Sequence, residues 1–192
     1  MKKFFLIVAF VAAAAISSYA QDIRVSAGLA NSKFADSGVP YDGFFVGLTA
    51  EKAFSGAIRF SSGLIYSSVS GNKPDASAVS IKVKEQYFSV PIHAVARIGI
   101  TRDAFIVLEA GPSLSVGIAS DAVPAGGSAS YSLYGDDSNY GRFDIMAGGQ
   151  VGIEYWRLRV FGGCNYGLFD RDLREAVELH RTEIVAGIAF KF

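Results

Sequence analysis

Apolar and polar residues alternate with a period of two along most of the chain beyond residue 20. The segment 142–155 is the clearest case: one face carries apolar, aromatic and glycine residues, and the other carries Arg142, Asp144 and Glu154. Such alternation predicts a β-strand with one apolar face. It recurs along the chain, and we predict eight strands near residues 23–30, 44–52, 57–68, 83–100, 103–118, 142–155, 157–168 and 183–192.

The predicted connections alternate between short and long. Short turns are predicted around 54–56, 101–103 and Trp156, and Pro91 predicts a bulge or a break in pairing within the fourth strand. Short turns at one rim and long loops at the other, with an even number of strands, are typical of outer-membrane barrels. We therefore predict an all-β fold, an eight-stranded antiparallel up-and-down transmembrane β-barrel with short periplasmic turns and long extracellular loops. The long loops are predicted at 31–43, 69–82, 119–141 and 169–182, with a short helix near 171–180.

The first 20 residues have the features of an export signal. Lys2 and Lys3 precede an apolar run over 4–16, and small residues at 18–20 offer a cleavage site after Ala20. We predict a signal peptide over 1–20 and an outer-membrane barrel domain over 21–192. The expected location is the outer membrane of a Gram-negative envelope.

Composition agrees with a barrel that presents an apolar face to lipid. The chain is 51% hydrophobic with a mean hydropathy of +0.30, yet no run beyond residue 20 reaches the roughly 20 apolar residues of a membrane helix. Lys and Arg balance Asp and Glu at 18 each, and the sequence has no basic stripe. Nucleic-acid binding is therefore not predicted. Cys164 is the single cysteine, which excludes an intramolecular disulfide, and with two histidines no metal site or cofactor is predicted.

Alternation alone does not say whether the apolar face points outward or inward. A soluble lipocalin-like barrel would line its cavity with the apolar face. Aromatic residues near predicted strand ends, such as Tyr66, Tyr155 and Trp156, favour membrane girdles instead. The charges on the polar faces nearly balance, as an enclosed interior requires, so we predict a plugged polar lumen without an open pore. The predicted lumen network consists of Arg24, Glu51, Arg59, Glu85, His93, Arg97, Glu109, Arg142, Asp144, Glu154, Arg157, Arg159, Glu183 and Lys191.

Several stretches resemble the PorT-like outer-membrane β-barrel family, the outer membrane protein beta-barrel domain group. They are YFSVPIHAVARIGI at 87–100, LEAGPSLSVGI at 108–118, the segment 142–170 and the terminal GIAFKF. The resemblance implies an envelope barrel without a catalytic motif, and one branch of the family takes part in protein secretion. Phe190 and Phe192, at the end of the last strand, resemble the signal read by the outer-membrane insertion machinery.

These features predict a non-enzymatic protein with a structural or interaction role, whose exposed loops contact an extracellular or envelope protein partner. We expect a monomer in outer-membrane lipid. Two alternatives are a soluble periplasmic barrel that binds an apolar ligand and a component of a secretion system. A third is a lipid-modifying enzyme, in which His93 would act with Ser89 or Ser113 and a carboxylate such as Glu85.

Overall fold

The computed structural model describes residues 22–34, 40–74, 80–124, 130, 132–134, 140–171 and 179–192. Eight antiparallel strands follow one another around a closed barrel, and the last strand pairs with the first. The predicted fold class is confirmed. No helix among the described residues is long and apolar enough to cross a membrane. The strands are β1 (Asp22–Phe34), β2 (Pro40–Ser55), β3 (Ile58–Pro74), β4 (Ser80–Gly99), β5 (Ala104–Pro124), β6 (Phe143–Tyr155), β7 (Leu158–Gly167) and β8 (Arg181–Lys191).

The barrel has two different ends. The turn end carries the short connections β2–β3, β4–β5 and β6–β7 together with the strand termini at Asp22 and Lys191. The loop end carries the other four connections. The predicted signal peptide at 1–20 and most of the predicted helix, at 172–178, lie outside the described residues.

The apolar faces point outward, as the membrane interpretation requires. Leu29 is 72% exposed on the outer face of β1, whereas its neighbour Ala30 is buried inside. On β5 the outward-facing run from Ile106 to Val116 spans about 25 Å along the barrel axis, from a rise of about 3.3 Å per residue and a tilt of about 40°. That length matches the apolar band of an outer-membrane barrel. The inverted, lipocalin-like arrangement is therefore wrong.

Strands β1 to β5 extend further toward the loop end than predicted. Asn31 pairs with Asp42 and Lys73 pairs with Ile81, inside segments that were predicted to be long loops. The predicted loops 31–43 and 69–82 are thus connections at 35–39 and 75–79. Beyond the lipid the outer face of a strand meets water, whereas inner-face residues such as Val69 and Val83 are buried. The apolar face is therefore no longer the outer one, and the alternation that identifies the strand changes there.

Pro91 interrupts the pairing of β4, as predicted. The β3–β4 register stops at Ser62↔Ile92 and resumes unchanged at Ile65↔Ser89, which indicates a break rather than a bulge. A proline lacks the N–H that the ladder needs, which explains the break. The β4–β5 bulge lies elsewhere, at Gln86/Tyr87.

Candidate functional site

A dense network of ion pairs fills the turn end of the barrel, and Arg159 on β7 lies at its centre. Its guanidinium pairs with Glu109 on β5 and lies 2.9 Å from both Glu51 Oε1 on β2 and Glu154 Oε2 on β6. Arg24 on β1 pairs with the same Glu51 and, at 2.8 Å, with Glu154. All five side chains are buried. The network therefore connects strands from opposite sides of the barrel.

More cations surround this centre toward the turn-end rim. Arg97 pairs with Glu154, and Arg59 Nε lies 3.2 Å from Glu51 Oε2. Asp22, which sequence reasoning missed, accepts a hydrogen bond from Arg59 at 2.5 Å and lies 3.9 Å from Lys191 Nζ. Asp22 was missed because the first strand was predicted to begin at residue 23, whereas β1 begins at Asp22.

His93 lies above the network, beside a serine and a carboxylate. Its Nε2 is 3.2 Å from Ser113 Oγ, and its Nδ1 is 3.8 Å from Glu109 Oε2. The other candidate serine, Ser89, instead donates a hydrogen bond to Ser115 at 3.0 Å. His93 and Ser113 face an internal cavity of about 80 Å³. The three groups thus lie inside the barrel and not on its lipid-facing surface.

The middle of the interior is apolar on one side, which was not predicted. Phe45 on β2 points inward, with its ring centroid 5.9 Å from that of Phe161 on β7. A Cβ placed on Gly28 or on Gly187 would lie 2.7 Å from the Phe45 ring. These two glycines therefore leave room for an aromatic ring, whereas at Gly152 the space adjoins the side chains of Arg159 and Phe161.

A second polar cluster lies toward the loop end, and Glu85 on β4 is its anion. Tyr134 and Tyr140, from the connection between β5 and β6, donate hydroxyl hydrogen bonds to Glu85 at 3.3 and 3.2 Å. Burial, and then the Glu85 charge, raise the pKa of both tyrosine hydroxyls, so both stay protonated and remain donors. Arg171, from the connection between β7 and β8, lies 3.5 Å from Glu85 Oε2.

Arg171 was not among the predicted site residues, yet it is 1% exposed. It donates hydrogen bonds from Nη1 to Tyr87 Oη at 3.1 Å, from Nη2 to Tyr134 Oη at 3.0 Å and from Nε to the Gly141 carbonyl at 3.0 Å. Its guanidinium also lies over the rings of Tyr87 and Tyr140, 5.3 and 4.6 Å from their centroids. Two connections at the loop end are thus anchored to the barrel wall through one arginine.

Arg181, at the start of β8, is a second buried arginine that was missed. It donates to Ser115 Oγ at 3.1 Å and lies 4.1 Å from the centroid of the Tyr87 ring. The predicted residues Asp144 and Glu183 are also buried at this level. Asp144 accepts a hydrogen bond from the Phe169 backbone at 3.3 Å, and Glu183 accepts one from the Asn165 amide at 3.4 Å.

Two predicted network residues do not join the lumen. Arg157 is exposed in the turn between β6 and β7, with its guanidinium 4.9 Å from the Trp156 ring. Arg142 precedes β6 at the loop end, partly exposed, with its guanidinium 5.4 Å from the Tyr134 ring. Both have the parity of lumen residues, but each lies just beyond the strand whose alternation would point it inward.

The terminal aromatic residues lie at the turn end. Phe190 and Phe192 form an edge-on ring pair with centroids 5.3 Å apart, and the Phe192 N–H donates to the Ile23 carbonyl at 2.9 Å. Both rings are exposed on the outside of the barrel. Among the described residues, no group of three His, Cys, Asp or Glu side chains is arranged to hold a metal ion.

Comparison with known proteins agrees with this architecture. A family model described as "Outer membrane protein beta-barrel domain" matches residues 12–172. The chain belongs to this family. Membership, together with the closed eight-stranded barrel and its apolar exterior, places the protein in the outer membrane. Among curated proteins no match to the chain is found.

The chain aligns with several solved structures. Neisserial surface protein A is 16% identical, with 89% of this chain and 96% of that chain covered and a TM-score of 0.50. Ail of Yersinia pestis, in complex with the heparin analogue sucrose octasulfate, is 14% identical, with coverages of 89% and 98% and a TM-score of 0.48. The N-terminal barrel domain of OprF from Pseudomonas aeruginosa is 11% identical, with coverages of 90% and 98% and a TM-score of 0.40. At these identities the likeness concerns the fold alone.

Proposed function

We propose that this outer-membrane barrel has a structural or interaction role, with a plugged polar lumen, no enzymatic activity and loop-end residues that contact a partner. The ion pairs around Arg159 carry the proposal. They cross the interior from β7 to β2, β5 and β6 and leave the charged groups paired with one another. An eight-stranded barrel encloses a space that side chains can fill, and buried charges persist only when they are paired.

The proposal includes the route to the membrane. Residues 1–20 act as a cleaved signal peptide, and residues 21–192 form the mature barrel. The outer-membrane insertion machinery reads the exposed terminal aromatics Phe190 and Phe192. The mature protein works as a monomer surrounded by outer-membrane lipid and has no nucleic-acid partner.

Planar-bilayer recording tests the plugged lumen. We expect wild-type protein, inserted as a folded monomer, to give no long-lived current steps, because the network around Arg159 occupies the turn end. A general porin inserted under the same conditions provides the positive control. A stable ohmic current from the folded wild-type barrel would contradict the plugged interior.

A lipid-modifying enzyme is the second candidate, since His93 lies within 3.2 Å of Ser113 Oγ. We expect H93A to leave the envelope lipids unchanged, and Ser113 to resist labelling by a fluorophosphonate probe. The reason is access: both side chains face a cavity of about 80 Å³, whereas acyl chains lie outside the barrel. Normal folding of H93A together with altered lipids, or labelling lost in S113A, would support catalysis instead.

We also propose the PorT-like family as the closer affiliation, on the resemblance of residues 87–100 and 108–118. One branch of that family takes part in protein secretion, so a role in a secretion system follows by family analogy alone. Deletion of the gene, followed by analysis of the secreted proteins, tests it. An unchanged secreted fraction would remove the secretion role and leave the interaction role untouched.

A further inference from the structure

The cluster at the mouth of the barrel has the composition of a cation receptor. Its carboxylate, Glu85, is buried on the barrel wall and accepts hydrogen bonds from the hydroxyls of Tyr134 and Tyr140. The Tyr140 ring lies 4.6 Å from the Arg171 guanidinium, and the Tyr87 ring contacts two arginines, Arg171 at 5.3 Å and Arg181 at 4.1 Å. Aromatic faces attract cations, and a buried carboxylate requires a positive partner. We call Glu85, Tyr87, Tyr134 and Tyr140 the mouth cage.

The group inside the mouth cage is supplied by the chain itself. The Arg171 guanidinium donates to Tyr87 Oη, Tyr134 Oη and the Gly141 carbonyl at 3.0–3.1 Å. These acceptors lie in three directions around one planar group, an arrangement that matches the rigid fork of a guanidinium better than a compact ammonium. Arg171 belongs to the connection between β7 and β8, so the cage receives this arginine from the loop end of the barrel.

We infer that the mouth cage is a binding site for a guanidinium group of an external partner, such as an arginine side chain of an extracellular peptide, and that Arg171 occupies it in the free protein. A partner arginine reaches the cage only while Arg171 is displaced. The apparent affinity for the partner therefore equals the intrinsic affinity multiplied by the fraction of molecules in which Arg171 is outside the cage. The inference gives the proposed interaction role a partner chemistry, and rests on it.

Titration calorimetry of the full-length barrel in detergent micelles tests the cage, with methylguanidinium as the probe. We expect R171A to bind methylguanidinium at least about tenfold more tightly than wild type, because its cage is permanently available. R142A is the matched control, since Arg142 is an arginine at the same rim whose guanidinium lies over the Tyr134 ring without occupying the cage. It should bind like wild type. Equal affinities of R171A and wild type would overturn the inference.

The carboxylate is tested in the same background. The R171A/E85Q double variant keeps the size and polarity of residue 85 but removes its charge, so we expect methylguanidinium binding to fall at least about tenfold below that of R171A. Unchanged binding would show that the probe lies elsewhere and would overturn the site.

A refolding measurement applies if R171A does not fold alone. We then expect methylguanidinium, and not equimolar sodium chloride, to restore the compact, unboiled gel band of R171A. No recovery would contradict it.

An arginine peptide tests the external partner. Wild-type barrel should bind a short arginine-containing peptide more weakly than R171A does, and should not bind the same peptide with citrulline, which keeps the shape without the charge. Equal binding of the two peptides would overturn the partner chemistry. These measurements are independent of the bilayer currents, so the plugged lumen and the mouth cage can fail separately.

Discussion

Replacing Arg159 with alanine is expected to destabilise the barrel by about 3–5 kcal/mol, the usual cost of removing one partner from a buried ion pair. Arg159 contacts Glu51, Glu109 and Glu154 at once, and all of these carboxylates are buried. Without the guanidinium they would be left close together with fewer cations around them. Repulsion between them would add to the desolvation that the arginine now offsets.

Urea unfolding in lipid vesicles, followed by the mobility of the unboiled gel band, measures this effect. R157A is the matched control, because Arg157 is two residues away but exposed in the turn. Its guanidinium contacts the Trp156 ring, so its loss should cost about 1 kcal/mol or less. Similar losses for R159A and R157A would show that the network contributes little to the stability of the fold.

Arg159 and Arg157 together show how much the alternation of polar and apolar residues could predict. Both carry the parity of the polar face, and the sequence pattern assigned both to the lumen. Only Arg159 lies inside a strand, where parity fixes the direction of the side chain. The pattern therefore predicted the strand count and the acidic and basic residues that pair with Arg159. The lipid-facing side needed the aromatic residues at the strand ends as well. The pattern could not separate a strand end from a turn. This is also why Asp22 was missed and why Arg142 was assigned to the lumen.

Periodicity could not predict the cluster around Glu85 at the loop end, for a different reason. Arg171, Tyr134 and Tyr140 belong to connections, where no repeating face indicates which side chain points inward. Their burial depends on contacts with Glu85 and Tyr87 on β4, which are distant in sequence. The cue available in the sequence was the clustering of tyrosines in the 124–141 segment, which falls within the loop predicted at 119–141.

Apolar lumen residues were missed because the polar face was expected to be polar throughout. Val95 and Val107 are fully buried inside the barrel near Arg97 and Glu109. Phe45 is also inward, next to the lipid-facing Phe44. Where adjacent residues are both apolar, alternation does not say which of the two faces lipid. The interior thus has charged groups toward both ends and apolar residues between and beside them, so it is less uniformly polar than predicted.

Phe45 therefore provides a second test with a large expected effect. We expect F45A to destabilise the barrel by about 3–5 kcal/mol, the range for truncating a buried phenylalanine. Phe45 is 4% exposed and packs on Phe161. Gly28 and Gly187 border the ring and have no side chains that could move into the vacated space, so the cavity should persist. Its cost adds to the lost transfer free energy.

F44A is the matched control and removes the same ring from the adjacent position. Phe44 is 49% exposed on the outer face, where acyl chains would fill the space left by the ring. We expect a clearly smaller loss, limited to the transfer free energy and to the contact with Tyr66 at 6.3 Å. Unfolding of both variants in the same vesicles gives the comparison. A larger loss for F44A would mean that lipid contact outweighs interior packing at this level, and that the barrel is held together more by the bilayer than by its filled lumen.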